Sequence, residues 1–218
     1  MRKSLFFSII LSFYLPIAYS ILAEDADPVL NYYVSYADTN FVSSNSNLAA
    51  SKYSFVALTY YKSIGKKGVV TRLDSTVVRY FCSGESVDSS VTLVKSDGKI
   101  PELTFLCPNV FIDSFGHGFF PNDTGGRELA ISFENISSSD TLPSGIAVID
   151  REEFSLRAAY LFYPNQTGYK RLTRSFRFSD KAGFNFPDSV WEVGAKQGIF
   201  STEYYRLETG IKEIQLLR

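Results

Sequence analysis

Short runs of alternating residues, separated by turns and not by helical stretches, set the narrowest limits on how this chain can fold. In "VVTRLDSTVVRYFC" (69–82), Thr71, Leu73, Ser75, Val77 and Phe81 share one face, and Arg72, Asp74 and Thr76 share the other. A strand alternates in this way when one face meets a core and the other meets water. "YSFVALTYYKS" (53–63) reads as its hairpin partner across the glycine-flanked link "IGKKG". Further strands are expected at 29–37, 91–95, 103–106, 128–134, 145–149, 169–178, 189–193, 199–207 and 211–217. The links between them ("KSDGK", "LPSG", "YPNQTG", "AKQG", "ETG") use residues that preset or tolerate turn dihedrals. The chain carries 14 Tyr and 19 Phe, and strands rich in them suit a pleated, half-buried surface. Closely spaced strands without intervening helices predict an all-β fold, an antiparallel β-sandwich or an up-and-down barrel.

Two segments resist a simple reading. "DREEFSLRAAYLFYP" fits a helical face through Phe154, Ala158, Leu161 and Phe162. It also alternates at period two through Phe154, Leu156, Ala158, Tyr160 and Phe162, and the turn that follows favours strand at 154–163. The Ser- and Asn-rich stretch 39–51 reads as a loop.

The first twenty residues have the pattern of a secretory leader. Arg2 and Lys3 precede an apolar run from Leu5 to Leu15, and Ala18-Tyr19-Ser20 offers small residues for cleavage before Ile21. The run is short for a membrane span, which needs about 20 apolar residues. Residues 21–218 then form a single β-rich domain, and the protein is secreted or periplasmic. Losing Arg2 and Lys3 moves the net charge from −1 to −3. No concentrated basic surface stands out, so nucleic acid is not an expected partner. An unknown ligand or protein partner is expected, and membrane association is disfavoured. The chain has two cysteines, Cys82 and Cys107, and in an oxidising compartment they are expected to pair as a disulfide.

The stretch "DSFGHGFFPNDTGG" (113–126) holds the only histidine. Ser114, His117 and Asp123 (or Asp113) are the residue types of a small hydrolase: nucleophile, base and orienting carboxylate. The stretch has no nucleophile-elbow spacing, and the chain carries 28 serines, so one beside a histidine says little. His117 is therefore expected in a glycine-rich connection at the surface and not at a catalytic centre. Zinc would need three or four converging ligands, and no such spacing appears. No metal and no cofactor is implied. "YKRLTRSFRF" (169–178) is the densest basic stretch, and Lys170, Arg171, Arg174 and Arg177 are candidates for contact with an anion. Pairing with Glu203, Glu208 or Glu213 is the plainer reading of these cations. Asn122, Asn135 and Asn165 begin glycosylation-type triplets. Trp191, the only tryptophan, is expected to be largely buried. Together these observations favour an exported, non-enzymatic β domain that binds a ligand, a partner or an envelope component. A small secreted hydrolase using His117 and an outer-membrane β-barrel are the alternatives.

Overall fold

The computed structural model describes residues 27–65, 67–95, 100, 104–120, 126–137, 139, 141–179, 185–198 and 201–217. The expected leader, its cleavage site, Asn122 and Asp123 lie outside these residues.

Ten strands form one antiparallel sheet: β1 (Lys52–Ile64), β2 (Val70–Ser83), β3 (Ser86–Lys95), β4 (Phe115–Phe119), β5 (Glu128–Asn135), β6 (Ser144–Asp150), β7 (Leu156–Tyr163), β8 (Tyr169–Phe178), β9 (Pro187–Gln197) and β10 (Thr202–Leu216). Their order is β3-β2-β1-β10-β9-β8-β7-β6-β5-β4. The all-β antiparallel class expected from the alternation is therefore what forms, and neighbours in sequence are neighbours in the sheet from β4 to β10. The period-two reading of 154–163 holds in β7. The 53–82 hairpin also forms, its turn closed by Gly65 N–H to Val69 O (2.8 Å) and by Gly68 at φ 74.

Residues opposite one another across strands share a face. Ala57 lies opposite Val78 and Ile211, Thr209 opposite Val190, Val190 opposite Phe176, Phe176 opposite Ala159, Ala159 opposite Ala147, and Ala147 opposite Ile131. Every one of these is buried. The sheet thus has one continuous inner face. The opposite face carries Lys62, Arg206 and Glu208 with exposed Tyr160, Val193 and Tyr204.

A helix, α1 (Pro28–Ala49), covers part of the inner face, where strand 29–37 and loop 39–51 were expected. Its start is capped by the Asp27 carboxylate, which accepts the Val29 N–H at 2.9 Å. Pro28 costs nothing in the first turn, where its missing N–H would have no partner. Leu30, Ala37, Phe41 and Leu48 are buried at intervals of seven, four and seven residues, a helical stripe hidden beneath the tyrosines and serines. The hydroxyls that suggested a loop turn back onto the helix: Thr39 donates to Ser35 O and Ser46 to Val42 O, both at 2.9 Å. Residues 104–106 run without a ladder, where part of a strand was expected at 103–106; residue 103 lies outside the described residues. This segment continues into buried Cys107, Val110 and Phe111, and Phe111 meets Phe41 of α1 with ring centroids 6.3 Å apart.

Three further expectations are corrected. The turn expected at 208–210 is the middle of β10. Glu208, Thr209 and Gly210 are laddered to Trp191, Val190 and Ser189 on one side and to Tyr60, Thr59 and Leu58 on the other. With both neighbours present, the backbone gains more by staying extended than by turning. The irregularity appears instead as a bulge near Glu213 (φ 53), where the register against β1 shifts between Ser54 and Val56. Trp191 is only half-buried. It stands opposite Glu208 and Ser175 on the outer face, while Val190 and Glu192 point inward. Cys82 and Cys107 are buried free thiols and not a disulfide. Cys82 lies on β2 beside the Tyr53 phenol, whereas Cys107 sits in the segment covering the sheet, its thiol donating to Pro108 O at 3.5 Å. An oxidising compartment permits a bond but brings no two sulfurs together.

The β6–β7 turn ties α1 to the sheet. Asp150 accepts the N–H groups of Glu152 and Glu153 (2.9 and 3.0 Å), Arg127 Nε (2.6 Å) and Arg157 Nη2 (3.1 Å). Phe154 (φ 54) follows and packs on Tyr32, Tyr33 and Tyr36 of the helix, with centroids 5.7, 6.0 and 4.9 Å away. Burial alone would push the Asp150 carboxyl up. The two amides and the two guanidiniums outweigh burial and hold it well below the usual carboxylate range.

Two outcomes are expected. Leu48→Ala should cost about 2–5 kcal/mol in urea unfolding, and Val42→Ala on the exposed side of α1 less than about 0.5 kcal/mol. Asp150→Asn should cost about 2 kcal/mol at neutral pH. Because the folded carboxyl binds its proton less readily than the unfolded one, its contribution is complete above about pH 4 and is lost as pH falls through the folded value. Unfolding curves of wild type and variant should therefore converge in acid.

Candidate functional site

The sequence candidates do not assemble. His117 lies on β4 with Phe133 opposite, in an edge strand where a surface connection was expected. It is half-buried, and its Nε2 is 2.8 Å from Val110 O. A carbonyl oxygen only accepts, so Nε2 carries the proton and donates it. Gly116 and Gly118 act here as strand residues and not as turn-formers. The Ser114 carbonyl accepts the Ile136 N–H at 3.1 Å, Asp113 is exposed, and Asp123 lies outside the described residues. The histidine thus fastens β4 to the segment that crosses the inner face.

The basic strand also spreads its charges. Lys170, Arg171 and Arg177 are exposed, whereas Arg174 points inward and binds Glu192 at 2.7 Å. Tyr205 donates to the same carboxylate at 2.5 Å, and the Arg174 guanidinium lies 5.2 Å from the centre of the Tyr163 ring. Burial would lower the guanidinium, but the adjacent Glu192 raises it; burial and Glu192 together push the Tyr205 phenol up. Arg174 thus stays charged and Tyr205 keeps its proton. Of the glutamates expected as partners, Glu208 takes Lys62 and Arg206, Glu213 takes Arg79, and Glu203 accepts from Tyr61. The Tyr61 phenol is pushed up to about 12 by burial and by Glu203. Glu192, the inward partner, was not among the glutamates expected. Its place inside a strand between Val190 and Gly194 was the available signal.

A hollow opens where α1 and the segment 104–110 leave the inner face incompletely covered. It consists of two adjoining cavities, of about 510 and 230 Å³, with Glu85, Thr104 and Leu106 common to both. The smaller is walled by Tyr53 and Phe55 of β1, Phe105, Phe186 and Cys82. The rings form one cluster, with Phe55 5.0 Å from both Phe105 and Phe186 and Tyr53 5.6 Å from Phe186. The larger is walled by Phe41, Tyr163 and Cys107 with the amides of Asn45, Asn109 and Asn185.

The walls are held locally. Asn109 donates to Asp38 of α1 at 2.7 Å and accepts the Phe111 N–H at 3.0 Å, which fastens the covering segment to the helix. At the mouth, Gly84 has φ +60, and a Cβ there would come within 3.0 Å of Ala49 O. Its N–H binds Ser51 O (2.9 Å) and its carbonyl accepts from the Tyr53 phenol (3.1 Å), so Glu85 leaves from a fixed point. Burial pushes the Tyr53 phenol and both thiols up, so these groups are neutral. Such walls offer apolar contact and neutral hydrogen-bonding groups, with Glu85 at the border of both cavities. Sequence reasoning took Tyr53 and Phe55 as strand core and missed that 104–106 would be a wall.

His117→Ala, which removes one hydrogen bond to a carbonyl, should cost about 1 kcal/mol in urea unfolding. Glu192→Ala, which leaves the Arg174 charge unpaired inside, should cost about 3 kcal/mol or more.

No family model matches the chain, and neither does any curated protein. Among solved structures it is similar to a LolA superfamily protein from Nitrosomonas europaea. That likeness has 12% identity and a TM-score of 0.36, and covers 87% of this chain and 94% of that one. It is also similar to a putative outer membrane lipoprotein-sorting protein domain from Vibrio parahaemolyticus. There the identity is 5% and the TM-score 0.37, with 83% of this chain and 93% of that one covered.

Proposed function

We propose that this chain is an exported, non-enzymatic binding domain that takes an apolar or amphiphilic small ligand into the hollow between α1, the segment 104–110 and the inner face of the sheet. The observation that carries this reading is the pair of adjoining cavities walled by rings and neutral amides. The larger falls in the range of about 300–1,000 Å³ typical of small-molecule sites, which are mostly apolar with a few placed polar groups. Export follows from the leader-like residues 1–20, and a periplasmic or extracellular location is part of the proposal. The hydrolase reading is the weaker one, because His117 spends its Nε2 proton on Val110 O as a structural link, and among the described residues no serine or carboxylate bonds to its remaining nitrogen. The outer-membrane reading is weaker too: the outer face carries Lys62, Arg206 and Glu208 where a lipid-facing band would be apolar.

The test is displacement of a neutral fluorescent naphthylamine from the purified protein. Saturable binding at one site is expected, and Leu106→Trp, which fills the space common to both cavities, should weaken it at least about tenfold. Binding that is absent, or indifferent to Leu106→Trp, would refute the hollow as the site. Esterase activity lost in His117→Ala would favour the hydrolase instead.

A further inference from the structure

The two cavities are unequal in chemistry. Among the described residues that wall them, Glu85 is the one charged side chain, and no lysine or arginine is present. Glu85 borders both cavities and is exposed, so its carboxylate stays hydrated until a ligand reaches it. Behind it stands the half-buried ring of Phe105, backed by the buried rings of Tyr53, Phe55 and Phe186. The face of an aromatic ring carries the negative lobe of its quadrupole and attracts cations, ammonium groups with methyl substituents above all. The Tyr53 phenol's bond to the Gly84 carbonyl holds the backbone from which Glu85 leaves, so the residue starts from a fixed point at the mouth. Among the described wall residues an anionic head would meet Glu85 and the Phe105 ring with no compensating positive charge. A neutral head would leave the carboxylate unused.

We propose that the ligand is an amphiphile with an organic cation as its head, an alkylammonium, held between Glu85 and the half-buried ring of Phe105, with its tail in the larger cavity. This assignment rests on the hollow being the ligand site. The smaller cavity, about 230 Å³, has room for a methylated ammonium, and the larger continues past Leu106 toward Phe41 and Tyr163.

Calorimetric titration of the full chain with octyltrimethylammonium, octyl glucoside and octyl sulfate, each below its micelle concentration, separates the possibilities. The cation should bind about tenfold more tightly than the glucoside, and the sulfate most weakly. The cation's advantage should shrink as salt is raised, because part of it is charge attraction at a solvent-facing mouth. In Glu85→Gln, and in Phe105→Leu, the ratio of cation to glucoside affinity should fall toward one. Glu85 is exposed, so its variant should keep the wild-type melting temperature. Equal affinities for the three amphiphiles, or an unchanged ratio in Glu85→Gln, would overturn the cation assignment and leave the hollow as a site. Failure of all three to bind would overturn both readings.

Discussion

The inner face of the sheet must be covered, and the rest of the structure follows from that requirement. Side chains from nine of the ten strands, between Cys82 of β2 and Phe115 of β4, enter one core cluster on that side. At about 25 cal/mol per Å² this face is the main stabilising term, but only if something excludes water from it. A second sheet does not supply the cover. α1 and the irregular segment through Val110 do, and they are narrower than the face they cover. The hollow is the remainder. It lies beside Phe41 and Asn45 of the helix, where the 104–110 segment bridges toward β1.

Polar groups inside the fold are arranged to keep this cover in place. Asp150 gathers two amides and two guanidiniums at the β6–β7 turn, and the adjacent Glu153 carbonyl accepts from Asn40 of α1 at 3.1 Å. Asn109 joins Asp38, and His117 joins Val110 O. Each fastening is a charge or ring nitrogen meeting a backbone or amide group with its own requirement satisfied, which is the condition for burying polar atoms cheaply. On β8, β9 and β10, Arg174, Glu192 and Tyr205 satisfy one another on the inner face.

The strands were largely legible from alternation and turn residues, but in β2 the faces are reversed: Asp74, Val78 and Cys82 face inward and are buried, whereas Leu73 on the more apolar face is exposed. β8 spans 169–178, as its pattern and flanking turn residues imply. The helix was harder to see. Tyr32, Tyr33, Tyr36 and Val34 carry strand propensity, and the serines carry loop propensity, so the stripe Leu30, Ala37, Phe41, Leu48 was masked by its neighbours. The Asp27-Pro28 start was a usable signal that went unread. The run through 208–210 misled because turn chemistry was weighed without the two strands that flank β10. The hollow itself has no local signature. Its walls come from β1, α1, the 104–110 segment and the approach to β9, and only the tertiary arrangement brings these together.

The pairing of β1 with β10 sets a temporal order on folding. Thr59 and Thr209 share a buried hydroxyl contact at 3.1 Å across a separation of 150 residues, so the first strand of the sheet is completed by the last. Contacts so distant in sequence form slowly, because the entropy of closing the loop is lost before any of them is made. A chain emerging from a ribosome or a membrane channel presents β1–β3 first, with one side of β1 lacking its neighbour until β10 arrives. During that interval β1 exposes both its apolar face and its unsatisfied backbone edge. The aromatic surface that later walls the hollow is therefore also the surface most in need of protection while the chain is unfinished.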